Sequence, residues 1–177
     1  MGDYHDDMNM SHATHRGDAS AVSPALRERL MATRLFLVAA LAALLVAGFT
    51  AAAVAHAPTR SLVWMVAYLV LVAGVAQGVL GLGQALLPAR LPSTRWRIGE
   101  WTLFNLGNVG VIVGTLWAST AWVIVGTVLF VASLVAFLCG VRGAGRGWLL
   151  LAFRAVLVMT CLGACVGLGL TLAGVAH

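Results

Sequence analysis

Five long apolar segments separated by short polar ones make up most of this chain. They are residues 35–55, 62–87, 98–116, 121–140 and 148–176. A helix needs about 20 mostly apolar residues to cross a hydrocarbon core about 30 Å thick, and each segment is close to or above that length. The pattern therefore predicts an all-α integral membrane protein with five transmembrane helices. Since only a tight turn at Ala118–Thr120 separates the third and fourth spans, these two are expected to form an antiparallel hairpin.

The arginines gather at alternate ends of these spans, which predicts an orientation. One side of the membrane receives the arginines of the N-terminal region and of the loops after the second and fourth spans: Arg16, Arg27, Arg29, Arg34, Arg90, Arg95, Arg97, Arg142 and Arg146. Among the loops of the other side, only the first holds an arginine, Arg60. Cytoplasmic loops carry the excess of basic residues. We therefore expect a multi-pass plasma-membrane protein with a cytoplasmic N-terminus and an external C-terminus.

Residues 1–33 are polar and are expected to form a mobile cytoplasmic tail, apart from a short helix that starts at Pro24 and leads into the first span. The small residues around Ala55 also resemble a signal-peptide cleavage site, which is the alternative for this region. The apolar stretch, however, is longer than the roughly 7–15 residues usual in a signal peptide. The sequence therefore favours a retained first span.

Composition supports the membrane class and argues against nucleic acid as a partner. The chain is 61% hydrophobic and 10% charged, which lies outside the usual range of soluble domains. Its net charge is +5, but the arginines lie in short loops and form no basic face that a phosphate backbone could follow. The lipid bilayer is the partner that composition predicts, with other membrane subunits or copies of this chain as further partners.

Polar residues inside the second and third spans form the candidate site. Gln77 and Gln84 lie on one stripe of the second span, and Asn105 and Asn108 lie on one stripe of the third, beside Glu100. Counted from the cytoplasmic ends, Gln84 and Asn105 lie at about 6 and 10 Å, and Gln77 and Asn108 at about 16 and 14 Å. The depths predict an amide ladder in which Gln84 meets Asn105 and Gln77 meets Asn108.

Two interpretations of this polar cluster remain open. Amides commonly join membrane helices, and each such bond is worth roughly 0.6 kcal/mol; the sequence favours this structural interpretation. The alternative is a site for a quinone head group, a small polar solute or an ion, because amides both donate and accept hydrogen bonds. Glu100 also has a structural and a functional interpretation. It is either an interfacial residue near a helix N-terminus or a ligand for a proton or cation.

Arg154 lies about 10 Å into the fifth span, on a face nearly opposite the glycine stripe that includes Gly163 and Gly167. One arrangement turns Arg154 toward Glu100 or the amides. The other packs the glycines inward and lets Arg154 extend toward the headgroups, where it would contact an anionic lipid or a partner subunit. The sequence favours the second arrangement.

The N-terminal tail is rich in groups that bind copper, nickel or zinc. The candidate ligands are His5, Met8, Met10, His12 and His15. No histidine lies in the middle of a span, so a haem held within the bundle is not expected.

The chain has no nucleotide-binding loop, no zinc-protease motif and no serine-hydrolase motif, and its longest loop has about ten residues. An autonomous enzyme is therefore not expected. The sequence favours a non-catalytic accessory, structural or assembly subunit of a larger plasma-membrane complex. The alternatives are a small oligomeric transporter or channel with a polar path through the second and third spans, and a redox component that handles quinone or metal.

Overall fold

The computed structural model of the protein describes residues 24–88, 91–145 and 147–174, and all regular secondary structure in these ranges is helical. The elements are α1 (Pro24–Val54), α2 (Arg60–Tyr68), a π-helical segment (Leu69–Ala76), α3 (Gln77–Leu86), α4 (Thr94–Leu116), α5 (Thr120–Gly140) and α6 (Trp148–Leu172). The predicted all-α class is confirmed.

One continuous rod, Arg60–Leu86, is formed by α2, the π-helical segment and α3. We call it the central rod. Its first turn is capped by Thr59, whose side chain accepts a hydrogen bond from the backbone N–H of Leu62 at 3.4 Å. The rod contacts α1, α4, α5 and α6. Because every other helix packs against it, the polar residues of the rod point into the bundle.

Helices α4 and α5 form the predicted antiparallel hairpin, and glycines bring their backbones into contact. A Cβ atom on Gly107 would lie 2.6 Å from the backbone nitrogen of Phe130, and one on Gly110 would lie 2.8 Å from the Cα atom of Gly126. Small residues allow this close approach in membrane bundles. The connecting turn places Ala118 at a φ of 51°.

Aromatic side chains from four helices fill the core of the bundle. The ring centroids of Phe104 and Phe130 are 5.1 Å apart, and those of Phe36 and Phe137 are 5.6 Å apart. Phe153 of α6 joins the same buried cluster. Each of these rings is nearly inaccessible, so the helices are held in one register around them.

Four helices are long and apolar enough to cross a membrane: α1, the central rod, α5 and α6. Helix α4 contains 23 residues, which is long enough, but Glu100, Asn105, Asn108 and its glycines reduce its apolar character. The protein therefore has the helices of a small multi-pass membrane protein. Of the five predicted spans, α4 is the one whose composition alone does not identify it as a membrane-spanning helix.

The helix predicted to start at Pro24 is present, because α1 begins at that residue; Leu, Arg, Glu, Met and Ala between residues 24 and 33 are good helix formers. Two other helix ends differ from the predicted ones by several residues. Helix α4 begins at Thr94 and not at residue 98. Helix α6 ends at Leu172 and not at residue 176. Gly174, with a φ of 69°, follows that end, as a glycine commonly does.

Candidate functional site

The carboxyl group of Glu100 lies inside the bundle, where α3, α4 and α5 meet. The side chain is 2% exposed. Its Oε1 atom accepts hydrogen bonds from Gln84 Nε2 at 2.8 Å and from Trp96 Nε1 at 2.6 Å. Its Oε2 atom is buried and has no hydrogen-bond partner in the described part of the chain. The sequence placed Glu100 at a membrane interface, but the structure adds that neighbouring helices enclose it.

Gly140, the last residue of α5, covers this carboxyl group. A Cβ atom there would lie 2.6 Å from Gln84 Nε2 and 3.2 Å from Glu100 Oε1. A real Cβ atom would therefore push the two polar side chains apart. No sequence signal points to this role for Gly140, because nothing local indicates that a helix end rests on a distant side chain.

A second polar contact lies further along α4. The hydroxyl of Tyr68, at the end of α2, donates a hydrogen bond to Asn108 Oδ1 at 2.7 Å. The Tyr68 ring stacks on Trp64 with the centroids 5.1 Å apart. Asn108 is buried, and its Nδ2 group has no hydrogen-bond partner among the described residues. Tyr68 was not among the predicted site residues.

Gln77 lies between these two contacts and is 0% exposed. Neither its Oε1 nor its Nε2 atom has a hydrogen-bond partner in the described ranges. Leaving a buried donor or acceptor without a partner costs roughly 1–3 kcal/mol. Gln77 is therefore the least satisfied polar side chain in this part of the bundle.

The predicted amide ladder is wrong in both pairings. Gln84 donates to Glu100 and not to Asn105, whose Nδ2 group donates to the backbone oxygen of Trp101 at 2.8 Å. Asn108 accepts from Tyr68 and not from Gln77. Axial depth matches residues along two helices but does not fix the rotation of either helix.

The π-helical segment accounts for the contact between Tyr68 and Asn108. An α-helix turns about 100° per residue, so Tyr68 and Gln77, nine positions apart, would lie on opposite faces of a regular helix. A π-helix turns less per residue, because its hydrogen bonds join residues five positions apart. The eight residues of the π-helical segment therefore bring Tyr68 and Gln77 toward the same face, the one that looks at α4. This interruption of the second span was not predicted.

We call these residues the polar column: Tyr68, Gln77, Gln84, Glu100 and Asn108. The column follows the interface between the central rod and α4. It supplies one carboxyl, one phenol and three amides, a set that can bind a proton, a cation or a ligand that both donates and accepts hydrogen bonds. Asn105 faces its own backbone and does not belong to the column.

Arg29 makes a contact that the sequence did not suggest. Its Nη1 group donates hydrogen bonds to the backbone oxygens of Ala85, at 2.9 Å, and Pro88, at 3.2 Å. A cation at this position satisfies the free carbonyl groups at a helix C-terminus. Arg29 thereby fastens α1 to the end of the central rod, next to the polar column.

Arg154 is exposed and does not turn toward Glu100, so the first arrangement considered for it is wrong. The second is wrong in part, because Gly163 and Gly167 do not pack inward and would meet nothing within 4 Å if each carried a Cβ atom. Leu150, Phe153 and Leu157 form the buried stripe of α6. The burial of these larger apolar side chains decides which face of α6 turns inward.

The predicted tail ligands His5, Met8, Met10, His12 and His15 lie outside the described residues. Within the described ranges no three histidine, cysteine or acidic side chains come together in a way that could hold a metal ion. Metal binding by the tail stays a prediction, as does a quinone at the predicted cluster of Gln77, Gln84, Glu100, Asn105 and Asn108. Comparison of the chain with protein families, with curated proteins and with solved structures finds no match.

Proposed function

We propose that this protein is a non-catalytic accessory or assembly subunit of a larger plasma-membrane complex, and that α6 carries its docking face. In this proposal the chain crosses the membrane five times, with α4 as the third crossing. Helix α4 packs antiparallel along α5, which is long and apolar enough to span, and this pairing supports a crossing by α4 despite its polar residues.

The unpartnered glycine pair of α6 is the observation that carries the proposal. Gly163 and Gly167 form a G-x-x-x-G pattern in an apolar helix, a pattern that brings membrane helices together. Elsewhere in the bundle, Gly107, Gly110 and Gly126 lie against a neighbouring backbone. Among the described residues no such neighbour lies within 4 Å of a Cβ atom placed on Gly163 or Gly167, so this pair is available to a helix from another chain.

Replacing both glycines with leucine tests this docking face. The tagged protein is extracted from its native membrane in mild detergent, and the proteins that co-purify with it are identified. The double variant Gly163→Leu, Gly167→Leu should lose the partner, because leucine side chains keep the two backbones apart. Gly169→Leu is the matched control, since Gly169 also contacts nothing within 4 Å but lies on another face of α6.

Two outcomes would contradict the proposal. One is a partner that is retained at the same yield in the double variant. The other is a protein that purifies alone from native membranes under conditions that preserve known complexes. If the wild-type protein purifies as a homo-oligomer and the double variant as a monomer, the face serves self-association and not an accessory role.

The polar column favours a second candidate function, a small transporter or channel. Buried polar groups without partners are costly in a membrane bundle and often belong to a pathway. The test is the Gln77→Leu variant in proteoliposomes loaded with a pH- or cation-sensitive dye. A flux that the wild-type protein carries and the variant lacks would support the path, whereas no flux in either would leave the amides a structural role.

A further inference from the structure

Two arginines border an open groove on the outward face of α1. Arg27 and Arg34 are both exposed, and they lie seven residues apart, about 10 Å along the helix. The groove between and beside them has a volume of about 350 Å³. It is lined by Arg27, Leu30, Met31, Arg34, Leu37 and Val38. The surface is therefore apolar along its length and cationic at two points.

The charge of this groove is not neutralised within the described part of the chain. Neither Arg27 nor Arg34 takes part in any hydrogen bond or ion pair with the described residues. Arg29, between them in sequence, instead turns inward and binds the backbone oxygens of Ala85 and Pro88. Arg29 therefore holds two helices together, whereas Arg27 and Arg34 face outward.

The length of α1 places the groove at the edge of the bilayer. Its candidate span, Leu26–Val54, has 29 residues, about 43 Å at 1.5 Å per residue, whereas the hydrocarbon core is only about 30 Å thick. With Val54 at one boundary of the core, Arg34 lies at the other, about 30 Å away. Arg27 then lies about 10 Å further out, among the headgroups.

We propose that this groove binds an anionic phospholipid. The phosphate lies between the guanidinium groups of Arg27 and Arg34, and an acyl chain follows Leu37 and Val38 into the hydrocarbon. Anionic headgroups are attracted to basic clusters next to a membrane helix, and guanidinium pairs well with phosphate oxygens. The apolar lining suits a lipid better than a free phosphate ion. The proposal is independent of α6 and of any partner subunit.

Titration of the full-length protein in a mild neutral detergent tests the proposal. The probes are short-chain phosphatidylglycerol, short-chain phosphatidylcholine and inorganic phosphate, and binding is followed by microscale thermophoresis. Phosphatidylglycerol should bind clearly tighter than the other two. In the double variant Arg27→Gln, Arg34→Gln its affinity should fall about thirtyfold, since each charge near an anionic lipid contributes roughly a factor of five.

The matched control is Arg60→Gln, which removes another exposed arginine at the start of the central rod. It should leave phosphatidylglycerol binding unchanged. Equal affinity for the two lipids, or an unchanged affinity in the double variant, would overturn the proposal. Inorganic phosphate binding as tightly as the lipid would overturn it too, because the ligand would then be the ion alone. Glutamine is a good helix former, so the variants should fold.

Discussion

At the scale of single residues, Gly140 leaves room for the contact between Gln84 and Glu100 because glycine has no side chain. The variant Gly140→Ala would place a methyl group 2.6 Å from Gln84 Nε2 and displace it from Glu100. We expect a loss of about 1–3 kcal/mol in the free energy of unfolding, because the buried carboxyl loses a donor. The measurement is reversible unfolding in mixed detergent micelles.

Gly99→Ala is the matched control for this prediction. Gly99 precedes Glu100 in α4, and a Cβ atom there would meet nothing within 4 Å. Alanine should stabilise the helix by up to about 1 kcal/mol. If the two alanine variants have the same stability, Gly140 does not act through the Gln84–Glu100 contact.

For Gln77 we expect no loss of stability on substitution, because its amide is buried without a described partner. Replacing it with leucine removes both unsatisfied groups, so the Gln77→Leu variant should be as stable as the wild type or more stable, by about 1–3 kcal/mol. Gln84→Leu should instead lower the stability, since it leaves Glu100 with only Trp96 as a donor. Unfolding of the two variants under identical detergent conditions gives the comparison.

The Gln77 prediction also separates a structural role from a binding role. A clear loss of stability in Gln77→Leu would mean that the amide has a bound water, ion or solute as its partner in the folded protein. That result would favour the polar path over simple packing between helices.

At the scale of elements, the turn between α4 and α5 contains a strained residue. Ser119 N–H donates to the carbonyl of Gly114 at 2.8 Å, and Ala118 N–H donates to that of Thr115 at 3.4 Å. This is the arrangement in which glycine normally follows a helix, but here Ala118 holds the left-handed conformation, with a φ of 51°. An alanine there costs roughly 1–2 kcal/mol.

The Ala118→Gly variant should therefore raise the free energy of unfolding by about 1 kcal/mol. Ala121→Gly, in the first turn of α5, is its control and should lower it by a similar amount, because glycine weakens a regular helix. Thermal unfolding followed by circular dichroism measures both. A destabilised Ala118→Gly variant would contradict the assigned turn.

The Tyr68–Asn108 hydrogen bond connects α2 to α4 and depends on the rotation that the π-helical segment introduces. A double-mutant cycle with Tyr68→Phe and Asn108→Ala should give a coupling energy of about 0.6 kcal/mol, the average for such bonds in membranes. Asn108 has no second described partner on its Nδ2 group, so the cycle isolates this bond. A coupling energy near zero would indicate that the two side chains do not meet.

Sequence patterns predicted the helices well but their rotation poorly. Apolar length predicted a helix at each of the five segments, four of which are long and apolar enough to span a membrane, and the short connection at Ala118 predicted the α4–α5 hairpin. No proline, repeat or polar pattern marks Leu69–Ala76 as π-helical, and such segments are too rare for a sequence pattern to predict them. The contact of Tyr68 with Asn108 depended on this rotation, and the contact of Gln84 with Glu100 depended on how the helices face each other, so neither could be read from axial depth.

At the scale of the whole molecule, the crossing of α4 decides the topology of everything that follows it. With the N-terminus in the cytoplasm, as the sequence predicts, a crossing by α4 makes the loop at Ala118 external and the loop at Gly145 cytoplasmic. If α4 stays on the cytoplasmic side, those two positions exchange sides, while Ala57 after α1 stays external in both cases. The arginines near Arg142 favour the first arrangement, since basic residues concentrate in the cytoplasm.

Single-cysteine labelling distinguishes the two topologies. The native cysteines Cys139, Cys161 and Cys165 are first replaced with alanine, and cysteine is then introduced singly at Ala57, Ala118 or Gly145. In intact cells, a membrane-impermeant maleimide should label the first two positions, and the third only after lysis. External labelling at Gly145 but not at Ala118 would show that α4 does not cross the membrane. It would also move Glu100 out of the membrane, so the polar column would no longer run through the bilayer.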